Sequence, residues 1–439
     1  MLHCRSPSAA AAAQLPPLED ENLLGEILLR LPPLPSSLPR ASLVCKRWLG
    51  VVSEPRFFRS FREHHGKPPL LGFFFFNGRG ADFVPALDPP DRIPAARFSL
   101  PPQSHREQGW FFLGCRHGRC LFIDFARSEA VLCDPTTSHQ RRIALPPEFI
   151  EDKGRGHVQN GGVLPVAGSG HLHGDCSLSP FKLVLLYIDR NASNVSVSLY
   201  ESESGLWGNI VSKSMPDAIG FITPSIQVGN AIYWGSQGGS ILEFDVENQS
   251  LGVTEKPANN QHTHWSCYQL LRTQENGLGL LVLKTVALER PIIEIWAKKV
   301  DSYGTAQLVL QKTVELHKLL PLGSSMNILP QTCCLRGFDE EDNAIFLSLG
   351  IGVFKVNIET LQVGNISARP STAYQTHGYY PYRSFYTSAV DIHGGTEGTT
   401  TTCGRGTSED GQCQAAGEAR TMVLKVLRRL KAIWGRSDA

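Results

Sequence analysis

The chain has 439 residues, 41% of them hydrophobic and 19% charged, which is apolar enough for a large core and excludes a mainly disordered chain. Lys and Arg number 42 against 41 Asp and Glu, a net charge of +1, so no bulk field draws nucleic acid or an acidic substrate to it. Glycine and proline, at 41 and 29, exceed their usual share and point to many short strands joined by tight turns.

No apolar run approaches the ~20 residues needed to span a bilayer. The densest, Leu70 to Phe76, has the length of one buried strand. The 11 cysteines are an odd count in a chain without a leucine-rich secretory signal, which speaks against a disulfide framework and for reduced thiols in cytosol or nucleus. The sequons at Asn191, Asn194, Asn248 and Asn365 then carry no weight.

Residues 1–16 read as a flexible leader, and residues 17–66 as a small all-α unit. Leu23, Leu24, Ile27, Leu28 and Leu31 recur at helical spacing, behind the acidic Glu19, Asp20 and Glu21 that suit a helix N-terminus. Pro32 and Pro33 end this first helix. Ser36 or Ser37 caps a second, along which Ala41, Val44, Cys45, Trp48 and Val52 form one stripe, with Leu43 beside it. Pro55 opens a third, carrying Phe57, Phe58 and Phe61, and Gly66 closes it. So small a unit is marginal by itself. On periodicity, a cap packed on the next domain and a docking face for another protein's groove stand level.

The pieces LLGEILLRLP (23–32), SLVCKRW (42–48) and SEPRFF (53–58) closely resemble the F-box motif. One departure is Glu19 after Leu18, where the family often has Leu-Pro. The resemblance implies docking to the Skp adaptor of an SCF-type (Skp–cullin–F-box) ubiquitin ligase. The residues it marks for adaptor contact are Leu18, Leu23, Leu24, Ile27, Leu28, Leu31, Pro32, Leu43, Val44, Cys45 and Trp48. Some of these must instead hold the helices together.

From residue 70 to 392 the pattern changes to short alternating runs, such as Val195, Val197, Leu199 and Phe354, Val356, Ile358, each marking a strand with one buried face. The runs repeat one order of strand, turn, strand, polar turn, strand. Turns near Asp134, Ser204, Glu247, Asp301 and Glu359 recur at a spacing that brackets a β-propeller blade. Six blades are expected, five of them directly readable and one degenerate over 70–102. The rival is a pair of β-sandwiches; radial repetition protects strand edges and explains the recurrence. GNAIYW (229–234), ILEFDVE (241–247), ELHKLLP (315–321), AIFLSLGIGVFKVNIET (344–360) and YYPYRSFYTS (379–388) also resemble the F-box-associated propellers of large plant F-box families. The tyrosine-rich segment reads as the closing strand or a pocket rim. Residues 393–420 read as a linker, and 421–435 as a basic amphipathic helix with Val423, Leu427, Leu430 and Trp434 on one face.

Enzyme signatures (GxSxG, P-loop, GxGxxG, HExxH) do not occur in the sequence. His171 with His173 is spaced like a chelating pair and reads as loop residues, while His262 with His264 beside Trp265 reads as exposed strand-end residues or a propeller rim. Cys115, His117 and Cys120 resemble half a zinc site without a second half. The vicinal Cys333 and Cys334 point to opposite faces of a strand, and Asp339 to Asp342 is an acidic turn without calcium-loop spacing. No metal, cofactor or catalytic residue is expected. The chain reads as a non-catalytic substrate receptor of a ubiquitin ligase with an unidentified protein target. The competing classes are a propeller enzyme or ligand-binding protein with a helical cap, and an F-box scaffold outside any ligase.

Overall fold

A computed structural model describes residues 20–386, apart from 77–80, 99–109, 138, 152–155, 167–179, 190–193, 216–219, 221–222, 237–239, 256–267, 287–289, 301, 303–305, 320–332, 350–351 and 367–377. The leader, Leu18, the histidine pairs 171/173 and 262/264, the linker and the C-terminal helix lie outside the described residues. Two compact units emerge. One holds the chain up to Pro68 and from Phe385 onward, and the other spans Pro69–Ser384.

In the first unit, Asp20 caps α1 (Glu21–Leu29), its carboxylate accepting from the N–H groups of Asn22 at 2.9 Å and Leu23 at 3.2 Å. The expected second helix is two helices, α2 (Ser37–Ser42) and α3 (Lys46–Ser53). Ser42 turns its hydroxyl back to the Pro39 carbonyl at 2.6 Å, and Cys45 is extended at φ −166°. The break falls at β-branched Val44 beside Cys45, both weak helix formers. Helix α4 (Pro55–His65) starts on its proline and stops at Gly66, whose φ of 64° suits a residue without a Cβ.

The second unit is a six-bladed β-propeller. Blade 1 begins with β1 (Leu70–Phe76) and β2 (Ala81–Pro85). Blade 2 is β3 (Trp110–Arg116), β4 (Arg119–Asp124), β5 (Glu129–Asp134) and β6 (His139–Ala144), followed by α5 (Pro147–Glu151). Blade 3 is β7 (Gly156–Pro165), β8 (Phe181–Asp189) and β9 (Asn194–Glu201), with an interrupted outer strand, β10 (Leu206–Trp207) and β11 (Val211–Ser214). Blade 4 is β12 (Ile226–Val228), β13 (Ala231–Gly235), β14 (Ile241–Asp245) and β15 (Ser250–Thr254). Blade 5 is β16 (Tyr268–Arg272), β17 (Leu278–Val286), β18 (Arg290–Val300) and β19 (Ala306–Glu315). Blade 6 is β20 (Cys334–Asp339), β21 (Ala344–Leu349), β22 (Gly352–Asn357) and β23 (Val363–Ile366).

The last strand, β24 (Tyr379–Arg383), is the tyrosine-rich segment, and it pairs antiparallel with β1. It is the innermost strand of blade 1, so the two ends of the domain close the ring together. Strand β1 buries side chains on both faces. Phe73 and Phe75 pack with Phe346 and Val353 of blade 6. Phe74 meets Phe112 of blade 2 with ring centroids 6.0 Å apart. Hydrophobic clusters of the same kind fill the seams between blades 2 and 3, 3 and 4, and 4 to 6.

Among the described residues, the polar turns near Asp134, Glu247 and Glu359 fall between the third and fourth strands of blades 2, 4 and 6, and these three share a chemistry. Asp134, Asp245 and Asn357, each ending its strand, accept N–H bonds from Thr136 at 2.8 Å, Asn248 at 2.9 Å and Thr360 at 2.8 Å. A short side chain that closes its own turn is why Asp or Asn recurs there.

Polar ties join the inner ends of the blades. Glu340 takes both Arg116, which also donates to the Ser225 carbonyl at 2.9 Å, and Arg272, which donates to the Gln227 carbonyl at 2.9 Å. Asp339 and Asp342 are both held by Lys355 and Arg383. The acidic turn is therefore engaged in ion pairs that link blades.

Candidate protein-docking site

The helical unit sorts the eleven residues marked by the motif. Leu24 and Leu28 are fully buried, and Ile27, Leu31 and Trp48 join them in one cluster with Leu38, Ala41, Val51, Val52, Phe57 and Phe61. These five lie in the packed cluster that holds the helices together. The reason is geometric: Leu24, Ile27, Leu28 and Leu31 follow the i, i+3, i+4, i+7 spacing that covers one helix face, and that face is the one the other helices need. Pro32 and Val44 are half-buried, and Cys45 is exposed. Leu23 and Leu43 remain outside, at 42% and 47% exposure. Leu18 lies outside the described residues.

The break between α2 and α3 creates the outer face. It places Leu43 in the connecting turn and Cys45 at the start of α3, one helical turn before Leu49, whose N–H bonds the Cys45 carbonyl at 3.0 Å. Leu49 is 39% exposed. A continuous helix gave no reason to single it out; the signal is its spacing of four from Cys45. Lys46 and Arg47 are exposed beside it. Leu43 and Leu49 are thus exposed apolar side chains accompanied by two exposed cations.

Two further residues complete the unit. His65 sits 4.5 Å from the Phe61 ring and bonds the backbone at Leu29 and Leu31; burial, then the neighbouring His64, lowers its pKa, and the backbone bonds oppose that. Phe385, assigned from sequence to the propeller stretch, is buried in the helical cluster, its ring centroid 6.5 Å from that of Phe61.

The propeller's metal-like spacing has a structural origin. His117 and Gly118, with φ of 52° and 73°, form a two-residue hairpin turn, which sets Cys115 opposite Cys120, itself opposite Cys133. The Cys115 thiol donates to the Pro381 carbonyl at 3.3 Å. Burial, with the flanking thiols, pushes Cys120 well up, so it stays protonated. Cys333 and Cys334 are both buried. Among the described residues no group of three His, Cys, Asp or Glu is placed to hold a metal ion, and no helix is long and apolar enough to cross a membrane. One cavity of the propeller, of about 30 Å³, lies between Arg116, Gly161, Ser225 and Tyr380, room for little more than a water molecule.

Residues 14–60 match the F-box domain family. The first unit thus carries an F-box domain match, and the second unit is a six-bladed β-propeller. The chain is 23% identical over 310 residues to F-box protein At5g03970 of Arabidopsis thaliana, a match covering 65% of this chain and 66% of that protein's length. A streptogramin B lyase structure is 10% identical, covers 69% of this chain and 85% of that one, and has a TM-score of 0.34. An aldose sugar dehydrogenase from Streptomyces coelicolor is 11% identical, covering 61% and 82%, with a TM-score of 0.32. Likeness of that grade carries no argument about this chain.

Proposed function

We propose that the chain is the substrate-recognition subunit of an SCF-type ubiquitin ligase, docking a Skp-type adaptor through its F-box and a target protein through its propeller. The observation that carries this is the match of residues 14–60 to the F-box family, on a unit where Leu23, Leu43 and Leu49 are exposed. Burying the exposed part of each leucine, under half of its surface, recovers roughly 1 kcal/mol each, which counts once neighbouring contacts exclude water.

The subunit performs no bond chemistry in this reading. By holding the target on the scaffold that carries the charged conjugating enzyme, it raises the local concentration of a target lysine. The net charge of +1 supplies no bulk field toward nucleic acid, consistent with a target held by local contacts.

Co-purification from cells tests it. The full chain should recover the adaptor, a cullin and a partner whose ubiquitination depends on the chain. Leu43→Asp should lose adaptor and cullin and keep the partner. Recovery of the adaptor without ubiquitination of any partner would make the chain a scaffold; equal recovery with Leu43→Asp would remove the docking face.

A further inference from the structure

The helical unit is not built from one stretch of sequence. Its buried cluster comprises side chains from Leu24 to Phe61 and one from more than 320 positions later, Phe385. That ring is 7% exposed and meets Phe61 edge-on, at an interplanar angle of 76°. Phe61 in turn meets His65 edge-on, and His65 bonds the backbone at the end of α1. Phe385 thus supports the α1–α4 packing on which the outer leucine face is displayed. It follows Arg383, the last residue of the ring-closing strand β24, by two positions.

We infer that this F-box unit is completed by the segment that follows the last propeller strand in sequence, so that full adaptor docking requires the chain to be finished through residue 385. During synthesis the helical segment emerges first and lacks one of its buried aromatic rings until the last strand has been made. An unfinished receptor, unable to close its propeller, would then also be a weak adaptor ligand. The inference concerns assembly of the docking unit and rests on the proposed function only for its adaptor readout.

Full-length Phe385→Ala and Phe385→Leu chains test it by hydrogen exchange with mass spectrometry, alongside binding to a purified Skp-type adaptor. Truncating a buried phenylalanine should speed exchange of α1 and α4 amides by roughly 100-fold, leave β8 and β17 amides unchanged, and weaken adaptor binding; Phe385→Leu should restore most of both. Unchanged α1 and α4 protection in Phe385→Ala overturns the inference. Equal acceleration in helices and propeller overturns it too, since Phe385 would then serve the whole fold. If the unsubstituted chain fails to bind the adaptor, the proposed function falls, and the exchange data still decide this point.

Discussion

Arg383 and Asp339 meet at the seam where the last strand joins blade 6, with Nη2 2.7 Å from Oδ2 and Nε 3.3 Å from Oδ1. The Asp339 side chain is 1% exposed, and Lys355 lies 2.8 Å from the same oxygen. This pair bonds the closing strand β24 to its neighbour by side chains, in addition to the backbone ladder with β1.

Removing Arg383 strips a bidentate partner from a buried carboxylate. Breaking such a pair costs about 3–5 kcal/mol in measured cases, and Lys355 retains part of the compensation here. Arg383→Ala should therefore lower propeller stability by about 2–4 kcal/mol in denaturant unfolding. Arg116→Ala, which unties Glu340, should cost less because Arg272 remains.

Burial separates two kinds of F-box substitution. Trp48→Ala or Leu28→Ala empties the helical cluster and should cost about 3–5 kcal/mol of local stability. Leu23→Ala, at an exposed site, should stay within about 0.5 kcal/mol. Circular dichroism melts of the full chain, monitored at helical wavelengths, distinguish the two.

Two histidines set an acid limit. Burial lowers the pKa of His65 and of His157 from the ordinary 6.5. The unfolded chain therefore binds protons that the folded chain refuses. Their contribution is fully present above about pH 6.5 and is lost as pH falls through that value toward the lower folded pKa. Melting temperature should be flat from pH 8 to 7 and fall below 6.5, with a shallower fall in His65→Gln. A melting temperature that rises on acidification would contradict this.

Thiol labelling should follow burial. Cys45 is exposed and Cys120 is buried with a raised pKa, so iodoacetamide at pH 8 should modify Cys45 within minutes in the native chain and Cys120 only after denaturation. Peptide mass spectrometry reads both.

Much of this architecture was legible because the propeller repeats local chemistry. Turns at Asp134, Glu247 and Glu359 stand out, since each of those blades needs a side chain that closes the same bend. YYPYR was readable as a closing strand, although its partner, Leu70 to Phe76, lies at the far end of the domain. The α2–α3 break was not legible: the stripe Ala41, Val44, Cys45, Trp48 has the spacing of one uninterrupted helix, and only tertiary packing shows where the chain bends. Leu49 was missed for that reason. Phe385 was missed because no local period links a residue after the last strand to a helix near the amino end. Sorting Leu23 from Leu24 needed the packed neighbours, which spacing does not supply.

The central claim is that the outer leucine face, and not the buried cluster, grips the adaptor. Titration calorimetry of a purified Skp-type adaptor into the full chain, Leu43→Asp and Leu43→Asp/Leu49→Asp tests it directly. The account predicts a loss of affinity of at least roughly 10-fold for the single and roughly 100-fold or more for the double substitution, with unchanged helical melts. Equal affinity across all three proteins would contradict it.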